Sequence, residues 1–183
     1  MRLVTTLTLI LTAAISLGAS TAVGQAVQYE PTWESLDQRD TPEWYRDAKF
    51  GIFIHWGLYS VPAWSPRGTY AEWYWHALDG KNQKSEAKQM RHKAVNAFHD
   101  RVYGEDFAYS DFRPQFTCEM FDSEQWAAIF NRSGAKYVVL TSKHHDGYCL
   151  YPSKQASERF GMSWNSVESG PRRDLVRELT DSV

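Results

Sequence analysis

The chain has 183 residues, 43% of them hydrophobic, and a formal net charge of -2. That hydrophobic share argues against disorder, and the near-neutral charge argues against a dedicated nucleic-acid binder, which would need a strongly basic face. Two cysteines, Cys118 and Cys149, are too few for a disulfide scaffold, and no CxxC spacing suggests structural zinc. The distinctive figure is 15% aromatic, with 8 Trp, 10 Tyr and 9 Phe, because these residues cluster instead of spreading evenly.

Residues 1–26 read as a secretory signal peptide. Arg2 gives a basic start, residues 3–17 are an almost uncharged run, and residues 18–26 are small, with cleavage expected after Gly24 or Ala26. The run falls short of the roughly 20 apolar residues of a spanning helix, and no later segment is apolar enough to span. The expected mature product, residues 27–183, is therefore exported without membrane insertion, in a compartment where a Cys118–Cys149 disulfide is permitted.

Thr41-Pro42 predicts a short helix over 42–47, with Thr41 as cap and Pro42 in the first helical position. Lys49-Phe-Gly-Ile-Phe-Ile-His-Trp-Gly57 reads as a short buried strand with polar His55 at its C-terminal end. Residues 58–121 form a long connection. Its first part is dense in Trp and Tyr, too mixed with Gly, Pro and Ser to make one helix or strand. Its second part has Ala87, Met90, Ala94, Val95 and Phe98 at helical spacing, flanked by Lys81, Lys84, Lys88, Arg91 and Lys93, which we read as a solvated face. Asp122 caps the next helix, with Gln125 three residues on, a Phe121–Trp126 staple, a buried stripe of Trp126, Ile129 and Phe130, and Gly134 as stop. Residues 135–143 are a second buried strand ending in His144-His145-Asp146-Gly147. Residues 174–180 begin an amphipathic helix with Leu175, Val176 and Leu179 on one face.

Helices between buried strands imply an α/β fold with a parallel sheet. Two strands cannot close a barrel, so the expectation is the first part of a larger domain. In a β/α barrel the strand ends open onto one face, where active sites lie. His55, His144 and His145 would then face a common site. A polar group at the end of an apolar strand is costly unless it is hydrogen-bonded or serves a ligand. Trp56, Trp64, Tyr70, Trp73, Tyr74 and Trp75 follow the first strand. Indole and phenol faces suit the C–H face of a sugar, and Glu72 among them would accept a hydrogen bond from a hydroxyl.

The segments Lys49-Phe-Gly-Ile-Phe-Ile-His-Trp-Gly57, Ser60-Val-Pro-Ala-Trp64, Tyr70-Ala-Glu-Trp-Tyr74, Lys136-Tyr-Val-Val-Leu-Thr-Ser-Lys-His-His-Asp-Gly147 and Gly170-Pro-Arg-Arg-Asp-Leu-Val176 together resemble the α-L-fucosidases of glycoside hydrolase family 29. The resemblance runs from about Trp33 to the end. It implies the N-terminal portion of a (β/α)8-like (TIM) barrel, incomplete in this chain, and retaining hydrolysis of terminal α-L-fucose from fucosylated glycans, with no cofactor and no metal. By the same resemblance His55, His144 and His145 bind fucose hydroxyls, and Glu72 and Trp73 contact the sugar by hydrogen bond and stacking; Trp56 and Trp64, from the aromatic cluster itself, are candidate rim residues. Trp164-Asn165 and residues 170–176 look structural or site-bordering, and residues 155–162 look like a local insertion. The family's nucleophile, an aspartate on a later strand, and its acid/base are expected downstream of this chain, so the chain alone is expected to be inactive. Two other readings stay open: a metal-dependent hydrolase using His55, His144 and His145 as ligands, and a non-catalytic sugar-binding remnant.

Overall fold

The computed structural model describes residues 28–81 and 84–183, so the signal-peptide reading of residues 1–26 lies outside the described residues. The chain divides into two units, residues 1–41 and 42–183. In the first, the described part holds one turn of helix, α1 (Trp33–Leu36), capped by Thr32, whose side chain accepts from the Ser35 N–H. The rest of the architecture belongs to the second unit.

There, α2 (Glu43–Asp47) follows Pro42. Pro42 occupies the capping position itself, not the first helical position, because its carbonyl accepts the N–H groups of Tyr45 and Arg46, both at 3.1 Å. Strands β1 (Gly51–Ile54) and β2 (Tyr137–Leu140) pair in parallel, with Gly51 beside Tyr137 and Ile54 beside Leu140. Bonds from Lys136 N to the Phe50 carbonyl (2.8 Å) and from Thr141 N to the Ile54 carbonyl (3.0 Å) extend the ladder at both ends. The Tyr137 ring packs directly over Gly51, where a Cβ would stand 2.3 Å from it, so any larger residue would have to displace that ring. The parallel α/β arrangement is as expected, and parallel pairing demands the long crossover that separates the strands.

That crossover carries most of the hydrophobic core. A 3-10 turn (Ala71–Trp73) leads into α3 (Tyr74–Asp79), which packs on α4 (Glu86–Tyr103). So the aromatic run does form helical structure, in two short pieces. α4 extends five residues beyond the apolar stripe. It buries Val95 and His99 while Met90 is exposed, so the inward face is set by its second half. A further 3-10 stretch (Tyr109–Gln115) precedes α5 (Ser123–Ser133). α5 begins and ends where its signals fall. Asp122 Oδ1 accepts from Gln125 N at 2.9 Å, the Phe121 and Trp126 rings meet at 4.9 Å, and Gly134 takes the left-handed conformation. Ile129, however, is exposed and does not join a buried stripe. α6 (Lys154–Phe160), capped by Ser153, forms in the stretch read as an insertion. α7 (Leu175–Ser182), capped by Asp174, buries Leu175 and Leu179 and packs on α5.

The strands themselves are half-exposed, with Phe53 66% and Val139 42% accessible. This corrects the expectation of buried strands. The helices pack on one another and on the aromatic block (Tyr74, Phe112, Phe116, Tyr148, Trp164) instead of covering both faces of the pair. Cys118 and Cys149 are both free thiols. Among the described residues no helix is long and apolar enough to cross a membrane.

Candidate active site at the strand ends

The C-terminal ends of β1 and β2 lie side by side because the strands are parallel and in register; His55 directly follows β1, and His144 comes four residues after the end of β2. β2 stops at Leu140, and residues 144–147 then form a tight turn closed by a bond from Gly147 N to the His144 carbonyl at 3.0 Å. Gly147 sits at φ +75°, and a Cβ there would come within 2.8 Å of the Phe160 ring. In an extended strand His144 and His145 would point to opposite faces. The turn instead keeps their rings 4.9 Å apart, nearly perpendicular.

Three segments converge here. The His55 ring stands 5.5 Å from His144. Trp73, delivered by the 3-10 turn, meets His144 edge-on at 5.4 Å and stacks on His145 at 4.6 Å. Glu72 precedes it, and its charge is felt at His144 and at Tyr59. The five residues singled out in the sequence, His55, Glu72, Trp73, His144 and His145, are thus brought together. A cleft of about 290 Å³ opens over Lys143, His144 and His145. A larger groove, about 790 Å³, lies elsewhere, between α5, β2 and the end of α7, and no histidine lines it. The smaller cleft is the chemical candidate because the convergent polar side chains are there.

The polar atoms of this cluster are incompletely partnered. His144 Nδ1 and the hydroxyl of Tyr59 are buried with no protein partner, and their rings are 5.1 Å apart. The ring nitrogens of His55 and His145, both exposed, make no hydrogen bond to the described residues. Burial holds His144 below the ordinary histidine range, the neighbouring His145 and His55 add to this, and Glu72 opposes it. A neutral imidazole both donates and accepts, which matches a sugar hydroxyl. Tyr59 and His76, whose ring meets Trp73 at 5.7 Å, border the cluster without any signal in the sequence that distinguished them.

Trp56 and Trp64, expected at the rim, are placed differently. Trp56 packs against Phe116, Phe121 and Trp126, and Trp64 stacks on Phe98 at 4.1 Å. Both indoles support the core, where their flat faces are already used. Trp164 and Asn165 are buried, and Asn165 is saturated by bonds to Ser153, Ser157, Val167 and Glu168, in keeping with a structural role. Arg173 pairs with Glu178 and donates to the Phe121 carbonyl, locking residues 170–176 to the start of α5. Among the described residues no group of three His, Cys, Asp or Glu side chains is disposed to hold a metal ion.

What this arrangement can do chemically is grip a small polyhydroxylated ligand by several hydrogen-bonding groups beside one indole face. A profile described as alpha-L-fucosidase matches residues 16–183. The chain is 51% identical over 156 residues to the α-L-fucosidase of Dictyostelium discoideum, covering 85% of this chain and 31% of that protein. It is 44% identical over 166 residues to the tissue α-L-fucosidase of Homo sapiens, covering 89% and 32%. The crystal structure of Thermotoga maritima α-fucosidase in complex with fucose is similar at a TM-score of 0.71 and 42% identity, over 85% of this chain and 34% of that one. The chain belongs to the α-L-fucosidase family. It spans about a third of the length of the curated relatives it matches.

Proposed function

We propose that the complete protein is an exported α-L-fucosidase, a glycosidase that removes terminal α-L-fucose from fucosylated glycans with retention of configuration. In this reading His55, His144, His145 and Glu72 hydrogen-bond the fucose hydroxyls and Trp73 lies against the ring. The two strands are then the first of a (β/α)8-like barrel. The observation that carries the reading is the convergence of His55, His144, His145 and Trp73 at two parallel strand ends, with centroid separations of 4.6–5.5 Å, in a chain of this family.

Retaining hydrolysis needs two carboxyls about 5–5.5 Å apart. Asp146 is poorly suited to be either, because both its oxygens already accept hydrogen bonds inside the core. We assign the nucleophile and the acid/base to no residue of this chain.

The test is turnover of an aryl α-L-fucoside by the complete gene product, with the configuration of the first-released fucose followed by NMR. Release of α-fucose supports the proposal. Binding of fucose without turnover would instead favour a non-catalytic sugar-binding protein. Export is tested separately by recovering the protein outside the cytoplasm and sequencing its N-terminus. A start near Gln25 or Val27 is expected, and retention of Met1 would contradict it.

A further inference from the structure

Two buried groups beside the cluster take no part in the grip proposed above. Asp146 is 2% exposed and Tyr109 is 6% exposed. Asp146 directly follows His145 in the turn. Its Oδ2 accepts from the Tyr109 hydroxyl at 2.7 Å, its Oδ1 accepts from Tyr148 N at 3.1 Å, and its main-chain carbonyl accepts from Trp164 Nε1 at 2.9 Å. A carboxyl buried this deeply persists only where it is well hydrogen-bonded, and these donors meet that need.

Tyr109 also faces the other half of the site. Its ring lies 6.4 Å from that of Tyr74, at an interplanar angle of 28°. Tyr74 directly follows Trp73 and opens α3. One phenol therefore joins the turn that carries His144 and His145 to the residue that follows the 3-10 turn carrying Glu72 and Trp73. Phe112, edge-on to Tyr109 at 5.8 Å, fixes the phenol's own orientation. Across this join, His145 and Trp73 stack at 4.6 Å.

We propose that Tyr109 and Asp146 are positioning residues that set the spacing between the His144–His145 pair and Trp73, and through it the turnover of the site. The inference rests on the sugar-gripping reading of those residues. Neither Tyr109 nor Asp146 is placed against the ligand. Their effect is on geometry, and a displacement of about 1 Å in a positioned group can cost up to 10²-fold in rate.

The test uses Tyr109→Phe and Asp146→Asn in the complete gene product. Tyr109→Phe keeps the ring and its packing and removes only the hydroxyl, so it carries the test if Asp146→Asn does not fold. Two readouts are taken. In ¹³C-labelled-histidine NMR spectra, assigned with the His144→Ala and His145→Ala variants, Tyr109→Phe is expected to move the His144 and His145 ring resonances and leave that of His92 on α4 in place. With an aryl α-L-fucoside, kcat per folded molecule is expected to fall about tenfold while KM changes less than about threefold. Unmoved resonances with kcat per folded molecule intact would overturn the proposal, even if the melting temperature dropped. If His145→Ala lowers kcat/KM and Tyr109→Phe leaves turnover unaltered, the positioning role fails and the sugar-gripping reading stands. If the wild-type protein shows no turnover and no fucose binding, that reading fails, and the resonance shifts alone decide whether the pair positions the imidazoles.

Discussion

His99 and His144 sit in the same unit, and each is surrounded by aromatic rings. His99, on α4, is 3% exposed, and its Nδ1 meets the Tyr74 hydroxyl at 2.8 Å while its Nε2 donates to the Phe107 carbonyl at 2.6 Å. Because a carbonyl only accepts, Nε2 carries the proton and Nδ1 receives the hydroxyl's, so the tautomer is fixed and the ring is fully used. His144 has a buried Nδ1 with no partner, beside a tyrosine hydroxyl in the same condition. Buried polar groups are nearly always paired, and leaving one unpaired costs about 1–3 kcal/mol. A saturated histidine holds the fold together, whereas an unsaturated one at a strand end is available to something else.

Substitutions can break this contrast. The largest effect expected is from His99→Ala, which empties a core site and strands the Tyr74 hydroxyl and the Phe107 carbonyl. Its cost should be about 4 kcal/mol by denaturant unfolding, with turnover per folded molecule unchanged. Retention of full stability would show that saturation does not mark the structural histidine.

Asp146 lies between the two cases, saturated yet adjacent to the cluster. Burial pushes its carboxyl up to about 6, and the donors Tyr109 and Tyr148 and the nearby His145 work against that rise. A carboxyl whose value is higher folded than unfolded binds its proton more tightly when folded, so its contribution to stability is present at low pH and is lost as pH rises from about 4 to about 6. The loss amounts to about 3 kcal/mol. Urea unfolding across that interval should show this component in the wild type and not in Asp146→Asn. Identical pH slopes would remove Asp146 from the account.

The opposite pattern to His99 is expected at the site. His55→Ala or His145→Ala in the complete gene product should lower kcat/KM toward an aryl α-L-fucoside by about 10–100-fold, equivalent to about 1.5–3 kcal/mol of transition-state contacts, with the melting temperature nearly unmoved. Unchanged kinetics for both would sink the assignment.

Much of this contrast was legible in the residues. His55, His144 and His145 end apolar runs, and β1 and β2 fall within the stretches expected to be strands. The limits of α5 follow from Asp122 and Gly134, which act through local hydrogen bonding and backbone conformation and need no tertiary partner. Other features depend on what lies across the fold. The same indole chemistry places Trp73 in the site and Trp56 in the core, and only the packing of Phe116, Phe121 and Trp126 decides between them. α3 and α6 are six and seven residues long, too short for a periodic pattern to declare itself, and tertiary contacts stabilise them. Asp146 carries no local mark of burial, since the residue that buries it, Tyr109, is 37 positions away.

The smallest effect gives the finest comparison, because it concerns a single oxygen atom. Tyr59 and Tyr148 are both almost fully buried, but the Tyr148 hydroxyl donates to the Ser169 carbonyl at 3.0 Å and that of Tyr59 has no protein partner. Tyr148→Phe removes a made bond and leaves a carbonyl unpaired, so it should cost about 1 kcal/mol. Tyr59→Phe removes a hydroxyl that gains nothing from the fold, so the ligand-free protein should be as stable as the wild type or slightly more so. If the Tyr59 hydroxyl and His144 Nδ1 share their unmet capacity with a bound ligand, the same substitution should reduce the rise in melting temperature produced by saturating fucose. A Tyr59→Phe variant as destabilised as Tyr148→Phe would mean that the hydroxyl is satisfied in the free protein and that the two regions differ less than their hydrogen bonds indicate.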